Sequence, residues 1–200
     1  MDWFLYEKEA AQKGYSAVCG IDEAGRGPLA GPVFAAAVIL PAEVEIPGLN
    51  DSKKLTAKKR EALFPLIQEK AVSWSVAFAT ESEIDEINIL QATYLAMRRA
   101  CEGLSIPADY ALVDGNRMPP LSVPGETIVK GDSLSASIAA ASVLAKVSRD
   151  RLMLELDSLY PEYQFAKHKG YGTALHVELL RKYGPCPIHR RSFLTKILKD

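Results

Sequence analysis

The chain has 200 residues, 48% of them hydrophobic and 24% charged, with a net charge of −1; this supports one substantial core and excludes a disordered chain. No apolar stretch reaches the ~20 residues of a membrane helix, and the start, Met1-Asp2-Trp3-Phe4-Leu5-Tyr6-Glu7-Lys8, has neither the basic nor the apolar region of a signal peptide. Cys19, Cys101 and Cys186 are far apart and form no metal-type pair, as in a reduced, cytoplasmic protein.

Residues 1–15 are expected to form an N-terminal helix. Ala17 to Asp22 is a buried apolar run and reads as a strand. Val33 to Leu40 is a second, ended by Pro41. The short Gly/Pro-rich link between them favours an antiparallel hairpin. Thr56 to Lys70 reads as a helix that Pro65 kinks or restarts. Val72, Trp74, Val76 and Phe78 alternate with polar or small residues, the pattern of a half-buried strand. Thr80-Glu81-Ser82-Glu83 fits a capping box. A helix follows over Ile89 to Leu104, with Leu90, Tyr94, Met97 and Cys101 on one face.

Tyr110 to Asp114 and Thr127 to Val129 are short strands ending near Asp114-Gly115 and Lys130-Gly131-Asp132. Ser135 to about Leu159 is a long helix whose first half is rich in small residues, suited to close packing on a sheet. Thr173 to Tyr183 is a helix stopped by Gly184-Pro185. Three strands followed by strand–helix alternation predict a mixed α/β sheet flanked by helices, with a C-terminal helical segment over residues 160–200.

Strands therefore end in acid three times: at Asp22-Glu23, Asp114 and Asp132. Carboxylates gathered at one sheet edge need cations, and oxygen donors suit Mg²⁺ or Mn²⁺. A pair of such ions serves phosphodiester displacement. On a strand, Asp22 and Glu23 point to opposite faces; sharing one site requires a turn at Glu23, which Gly25 and Gly27 permit. Asp150 competes with Asp132, but 18 helical residues separate the two by ~27 Å, and its arginine neighbours fit a structural ion pair better.

Basic residues are segregated. Lys53, Lys54, Lys58, Lys59 and Arg60 face one acid, Asp51; Lys167, Lys169, Arg181, Lys182, Arg190, Arg191, Lys196 and Lys199 face Glu178 and Asp200. They read as a phosphate-binding face, or cluster by cluster as solvated helix surface. Gly131-Asp132-Ser133-Leu134 spells an esterase motif, but Phe165, Thr173 and Cys186 stand where an acid would orient His168, His176 or His189; Ser133 reads instead as a helix N-cap. A receiver domain is excluded because Asp114 lies 92 residues after Asp22, and a binding module without catalysis would leave four acids unused.

The stretch Gly20-Ile21-Asp22-Glu23-Ala24-Gly25-Arg26-Gly27-Pro28-Leu29-Ala30-Gly31-Pro32 and the segment Asn50-Asp51-Ser52-Lys53-Lys54-Leu55 resemble the ribonuclease HII family. So do Val113-Asp114-Gly115-Asn116, Val129-Lys130-Gly131-Asp132-Ser133, Ala139 to Asp150, His168-Lys169-Gly170-Tyr171-Gly172-Thr173 and His189-Arg190-Arg191-Ser192-Phe193. The resemblance spans Gly20 to Phe193. It implies a single ribonuclease H-like domain over residues 1–200. It implies two Mn²⁺ or Mg²⁺ ions on Asp22, Glu23, Asp114 and Asp132, with Asp22 as the bridging ligand. The Gly25-Arg26-Gly27 turn would contact the ribose 2′-hydroxyl, and Tyr171 would pack on the sugar beside the scissile link. Ser52 is grouped with these substrate contacts, and Lys53, Lys54, Lys146, Arg149, Lys167 and Lys169 are the expected phosphate contacts. The implied activity is cleavage of RNA in RNA–DNA hybrids and at single ribonucleotides in duplex DNA, giving 5′-phosphate and 3′-hydroxyl ends. The implied protein is a cytoplasmic monomer without membrane association. The last residues, Lys196-Ile197-Leu198-Lys199-Asp200, read as a plain helix end, and a protein partner such as a replication clamp is left open.

Overall fold

The computed structural model describes residues 2–195 and 197–198; Lys196, Lys199 and Asp200 of the expected tail lie outside them. Five strands form one mixed sheet: β1 (Val18–Ala24), β2 (Val33–Ile39), β3 (Ser73–Ala79), β4 (Tyr110–Asp114) and β5 (Gly125–Ile128), in the order β3-β2-β1-β4-β5. β1 pairs antiparallel with β2, and β2 with β3; β1 pairs parallel with β4, and β4 with β5. The helices are α1 (Leu5–Gln12), α2 (Ala57–Lys70), α3 (Glu81–Glu102), α4 (Ala136–Leu159), α5 (Phe165–His168), α6 (Ala174–Tyr183) and α7 (Arg191–Leu194). Among the described residues, no helix is long and apolar enough to cross a membrane. The predicted mixed sheet, antiparallel hairpin and C-terminal helices are all present.

Strand alternation sorts side chains onto two faces. Cys19, Ile21, Val33, Ala35, Ala37, Ala111 and Val113 pack with Ala92, Ala96, Met97 and Ala100 of α3. Ala36 and Val38 pack on the other face with α2 and α4. The small residues of α4 allow contact at backbone distance. A Cβ at Gly20 of β1 would meet the Ile138 nitrogen and the Ser137 carbonyl carbon, each at 2.2 Å. α1 docks on the start of α4, where Glu7 Oε1 accepts from the hydroxyls of Ser135 (2.6 Å) and Ser137 (2.5 Å).

Several local expectations are corrected. β1 does not turn at Glu23; its ladder continues through Glu23↔Ala35 and Ala24↔Phe34, and the turn begins at Gly25, with φ 95°. α2 passes through Pro65 as one helix. Not all of the large residues of β3 are covered: Val76 packs on the α2–α4 cluster, but Trp74 and Phe78 are 38% and 46% exposed, while Ser73 and Ala79 are buried. Close approach of α3 demands small residues there, so size rather than polarity chooses the inner face. Ser135, not Ser133, caps α4, accepting from the Ile138 N–H at 3.2 Å. The capping box at Thr80 and Glu83 is present in both directions. α3 breaks at Asn88 (φ 68°), whose side chain accepts from the Leu90 and Gln91 N–H groups and restarts the helix where the sequence predicted its beginning.

The α4–β1 contact generates a prediction. Gly20→Ala forces backbone apart rather than a flexible side chain, so unfolding in urea should show a loss of at least about 1–3 kcal/mol. Unchanged stability would show that α4 does not sit on β1 this closely.

Candidate metal centre and nucleic-acid interface

Register brings the first two acids together. The parallel ladder of β1 and β4 ends at Ile21↔Val113, which sets Asp22 level with Asp114. Both lie on the α4 face, because Ile21 and Val113 pack toward α3. β5 then leads into a turn through Lys130, whose left-handed backbone (φ 58°) swings Gly131-Asp132-Ser133 back over the strand ends. The Gly131 N–H donates to Asp114 Oδ1 at 2.7 Å and locks this turn. One carboxylate oxygen each from Asp22, Asp114 and Asp132 then lies within 4.8 Å of the others.

Asp22 and Asp114 resist ionisation here. Burial, then the charges of Glu23 and Asp114, hold Asp22 well above the usual carboxylate range. Burial and then Asp132 raise Asp114. Lys53 partly offsets this, with Nζ 3.2 Å from Asp132 Oδ2. All three donors are oxygens, and no histidine or cysteine joins them. That set fits Mg²⁺ or Mn²⁺ rather than a softer metal.

Glu23 stands apart from the triad. It lies on the α3 face, as strand geometry requires, and Arg26 Nη1 is 3.6 Å from its Oε1. Burial raises its carboxyl although Arg26 pulls the other way. It borders two cavities. One, of about 250 Å³, is lined by Asp22, Glu23, Gly25, Arg26, Gly27, Ser52, Lys53, Asp114, Lys146 and Tyr171, together with Ala24 and Arg60. The other, of about 310 Å³, continues past Asp114 toward Asn116, Arg117 and the α3 residues Leu90, Tyr94 and Met97. Ten residues singled out in the sequence therefore line one cavity.

The glycine turn is held from behind by two buried arginines. Arg190 donates to the carbonyls of Gly25 (2.6 Å), Arg26 (3.0 Å), Pro28 (2.8 Å) and Gly31 (2.8 Å). Arg149 donates to Ala30 (3.1 Å), Pro32 (3.2 Å) and Lys169 (3.0 Å). In a trans peptide the N–H points opposite to the preceding carbonyl. With the Gly25 and Arg26 carbonyls turned toward Arg190, the N–H groups of Arg26 and Gly27 point away from it, as donors for an anion or hydroxyl. A side chain at Gly25 would strike Arg149 Nε at 2.1 Å.

This corrects the reading of Arg149 as a phosphate contact. Its exposure is 0%, as is that of Arg190, and its donors are occupied by carbonyls. Lys169 also turns inward, donating to the Ala166 carbonyl. Lys167 bonds Gln164 at 2.5 Å, and Lys54 turns to Ser133 Oγ at 3.2 Å; none of these three lines either cavity. Lys53 and Lys146 do line the cavity shared with Asp22 and Asp114. Lys146 also pairs with Asp150 at 2.8 Å, so the expected ion pair of Asp150 forms, with Lys146 and Arg60 rather than its arginine neighbours. Tyr171 is 41% exposed, and Lys146 Nζ and the Arg149 guanidinium each lie 5.8 Å from its ring centre. Sequence reasoning missed Arg60, which grips the Ser52 and Leu55 carbonyls at 2.8 and 2.6 Å behind the lysine turn. Nothing in a group of five bases marks one as the half-buried residue that turns inward.

A profile described as Ribonuclease HII matches residues 19–196. The chain belongs to the ribonuclease HII family. It is 55% identical over 198 residues to the Ribonuclease HII of Caldicellulosiruptor saccharolyticus, covering 99% of this chain and 97% of that one. The crystal structure of ribonuclease H2 from Pyrococcus horikoshii superposes with a TM-score of 0.73 at 29% identity, over 88% of this chain and 93% of that one. Bst-RNase HIII, crystallised in complex with Mn²⁺, shares the fold at a TM-score of 0.64 and 18% identity, over 90% of this chain and 67% of that one. As a family member the chain is a ribonuclease H endonuclease with a ribonuclease H-like fold.

The electrostatics yield a sign. A carboxyl whose folded pKa is raised costs nothing below its unfolded pKa and destabilises the fold as pH rises above it. At neutral pH Asp22 and Asp114 therefore oppose folding until a cation arrives. In EDTA, Asp22→Asn should melt higher than the parent by about 2–4 °C for each ~1 kcal/mol relieved, and Mn²⁺ should stabilise the parent more than the variant. A lower melting point for the variant in EDTA contradicts the account.

Proposed function

We propose that the enzyme hydrolyses the RNA strand of RNA–DNA hybrids and cuts duplex DNA at single embedded ribonucleotides, leaving 5′-phosphate and 3′-hydroxyl ends. The observation that carries this reading is that Asp22 and Asp114 of the acid triad, with Glu23, line the same cavity as the glycine turn and Tyr171. Asp22, Asp114 and Asp132 would hold two Mn²⁺ or Mg²⁺ ions, with Asp22 bridging and Glu23 joining from the α3 side. Bound there, the ions supply an ionised water at neutral pH and charge stabilisation for the leaving 3′-oxygen.

The chain's own residues do the rest. The outward N–H groups of Arg26 and Gly27 are placed to bind the 2′-hydroxyl and the neighbouring phosphate, and the 2′-hydroxyl is what separates RNA from DNA. Glycine at both ends of the turn lets the sugar approach the backbone. Tyr171 offers an exposed ring to the sugar beside the cut. Lys53 and Lys146 meet phosphates, positioning the duplex without reading its sequence. Arg26, paired with Glu23, lies between the two cavities and would follow the strand from one to the other. The accompanying proposal is a monomeric cytoplasmic enzyme in which the whole chain works as one catalytic unit; its three cysteines are free and buried, as a reducing compartment allows.

The test is a DNA duplex carrying one ribonucleotide, incubated with Mn²⁺ or EDTA and mapped for cut position and end chemistry. Cleavage at the ribonucleotide, abolished by EDTA, is expected. Asp22→Asn should lower turnover by at least about 10³-fold, the scale of several kcal/mol of charge stabilisation, and Tyr171→Ala should lower cleavage at the embedded ribonucleotide about tenfold. Cutting that survives chelation, or near-normal turnover by Asp22→Asn, contradicts the proposal.

A further inference from the structure

The C-terminal segment buries three histidines that take no part in the acid cluster, and their partners fix their tautomers. The Cys186 N–H, which can only donate, lies 3.0 Å from His189 Nδ1. The His189 proton must therefore sit on Nε2. That atom lies 3.1 Å from His176 Nε2, which must accept. The His176 proton then sits on Nδ1, 2.9 Å from the Tyr171 carbonyl, which can only accept. Each link from Cys186 through His189 and His176 to Tyr171 has one donor and one acceptor.

His168 supports the same chain. Its Nε2 lies 2.9 Å from the Tyr163 carbonyl, and its Nδ1 accepts from the Gly170 N–H at 3.2 Å. Its ring stacks on His176 with centres 4.3 Å apart. Its backbone carbonyl accepts from the Tyr171 N–H at 2.9 Å. Both backbone polar groups of Tyr171 are thus tied to this cluster.

The cluster is not a metal site: among the described residues, the acid triad is the one group with metal-ligand spacing, and the ring nitrogens are already paired. Only neutral rings satisfy the chain, since a further proton on His176 Nε2 would face the His189 Nε2–H at 3.1 Å, and one on His189 Nδ1 would face the Cys186 N–H at 3.0 Å. Burial holds both residues at about 4, so they are neutral at pH 7. The segment is also seated on the glycine turn, through the Ala30↔His189 bridge and the Leu29 N–H to Gly170 carbonyl bond of 2.8 Å.

We infer that His176 and His189 are positioning residues for Tyr171: their aligned imidazoles fix its main chain and so set where its ring stands at the cavity. The inference rests on the reading of Tyr171 as a sugar contact. It assigns these histidines to discrimination at the embedded ribonucleotide rather than to hydrolysis itself.

Two measurements test it. The first compares kcat/KM on a single embedded ribonucleotide with that on a long RNA–DNA hybrid for the parent, Tyr171→Ala, His176→Leu and His176→Asn. The Asn amide can replace the Nδ1 donor to the Tyr171 carbonyl, whereas Leu cannot. The ratio should fall about tenfold in Tyr171→Ala and several-fold in His176→Leu, and His176→Asn should stay within about twofold of the parent. If Tyr171→Ala lowers the ratio and His176→Leu does not, the inference fails and the Tyr171 reading stands. If Tyr171→Ala leaves the ratio unchanged, both fail. A general weakening that lowers both substrates together, or an Asn variant no better than Leu, also overturns the inference. The second measurement uses the unaltered protein, so it holds even if the variants fold poorly. Imidazole nitrogen NMR at pH 7 should show His176 protonated on Nδ1 and His189 on Nε2; the opposite tautomers would overturn the chain.

Discussion

Three carboxylates that repel one another are held together because the backbone gives them no other place to go. The parallel register of β1 and β4 sets Asp22 beside Asp114, and the Gly131 N–H, bonded to Asp114, brings in Asp132 from the next turn. Each ladder bond contributes little alone, but the sheet is covered by α3 and α4, and moving one acid away would mean shifting a packed strand. The fold therefore stores electrostatic tension at the sheet edge that a divalent cation relieves. This is the usual conflict between stability and a preorganised site.

The glycine turn inverts that arrangement. Arg149 and Arg190 are buried cations whose guanidinium bonds run to carbonyl oxygens. Carbonyls fixed inward leave amides facing outward. The positive charge beneath the turn further favours an anion above it, and burial lowers Arg190 to about 9. One end of the cavity thus attracts cations and the other attracts phosphate, which is the polarity that phosphodiester cleavage needs. The C-terminal segment supplies Arg190, the histidine chain and Tyr171, so it serves as a clasp on the site as well as a cover for the core.

Much of this was legible in the sequence. The acids at strand ends, the hairpin, the capping box and the close-packing helix each have a local signature, and local signatures survive folding. What escaped notice depends on distance in three dimensions. Arginines at 149 and 190 look like surface cations until carbonyls more than a hundred residues away are placed around them. β3 shows large residues at alternate positions, yet α3 requires small ones, so the apolar stripe faces outward at Trp74 and Phe78. Glu23 follows strand alternation onto the α3 face beside Arg26, yet it still lines the cavity of Asp22 and Asp114, a placement that neither the motif nor the alternation shows alone. His168 and His189 stand in family motifs, but the motifs say nothing of which atom of each ring meets which neighbour.

The most direct test of the central claim is anomalous scattering at the manganese edge from crystals soaked in Mn²⁺. The account predicts density among the Asp22, Asp114 and Asp132 carboxylates, with Asp22 touching the ions found. Side chains that keep their places with no scatterer between them, or manganese bound only elsewhere, would contradict it.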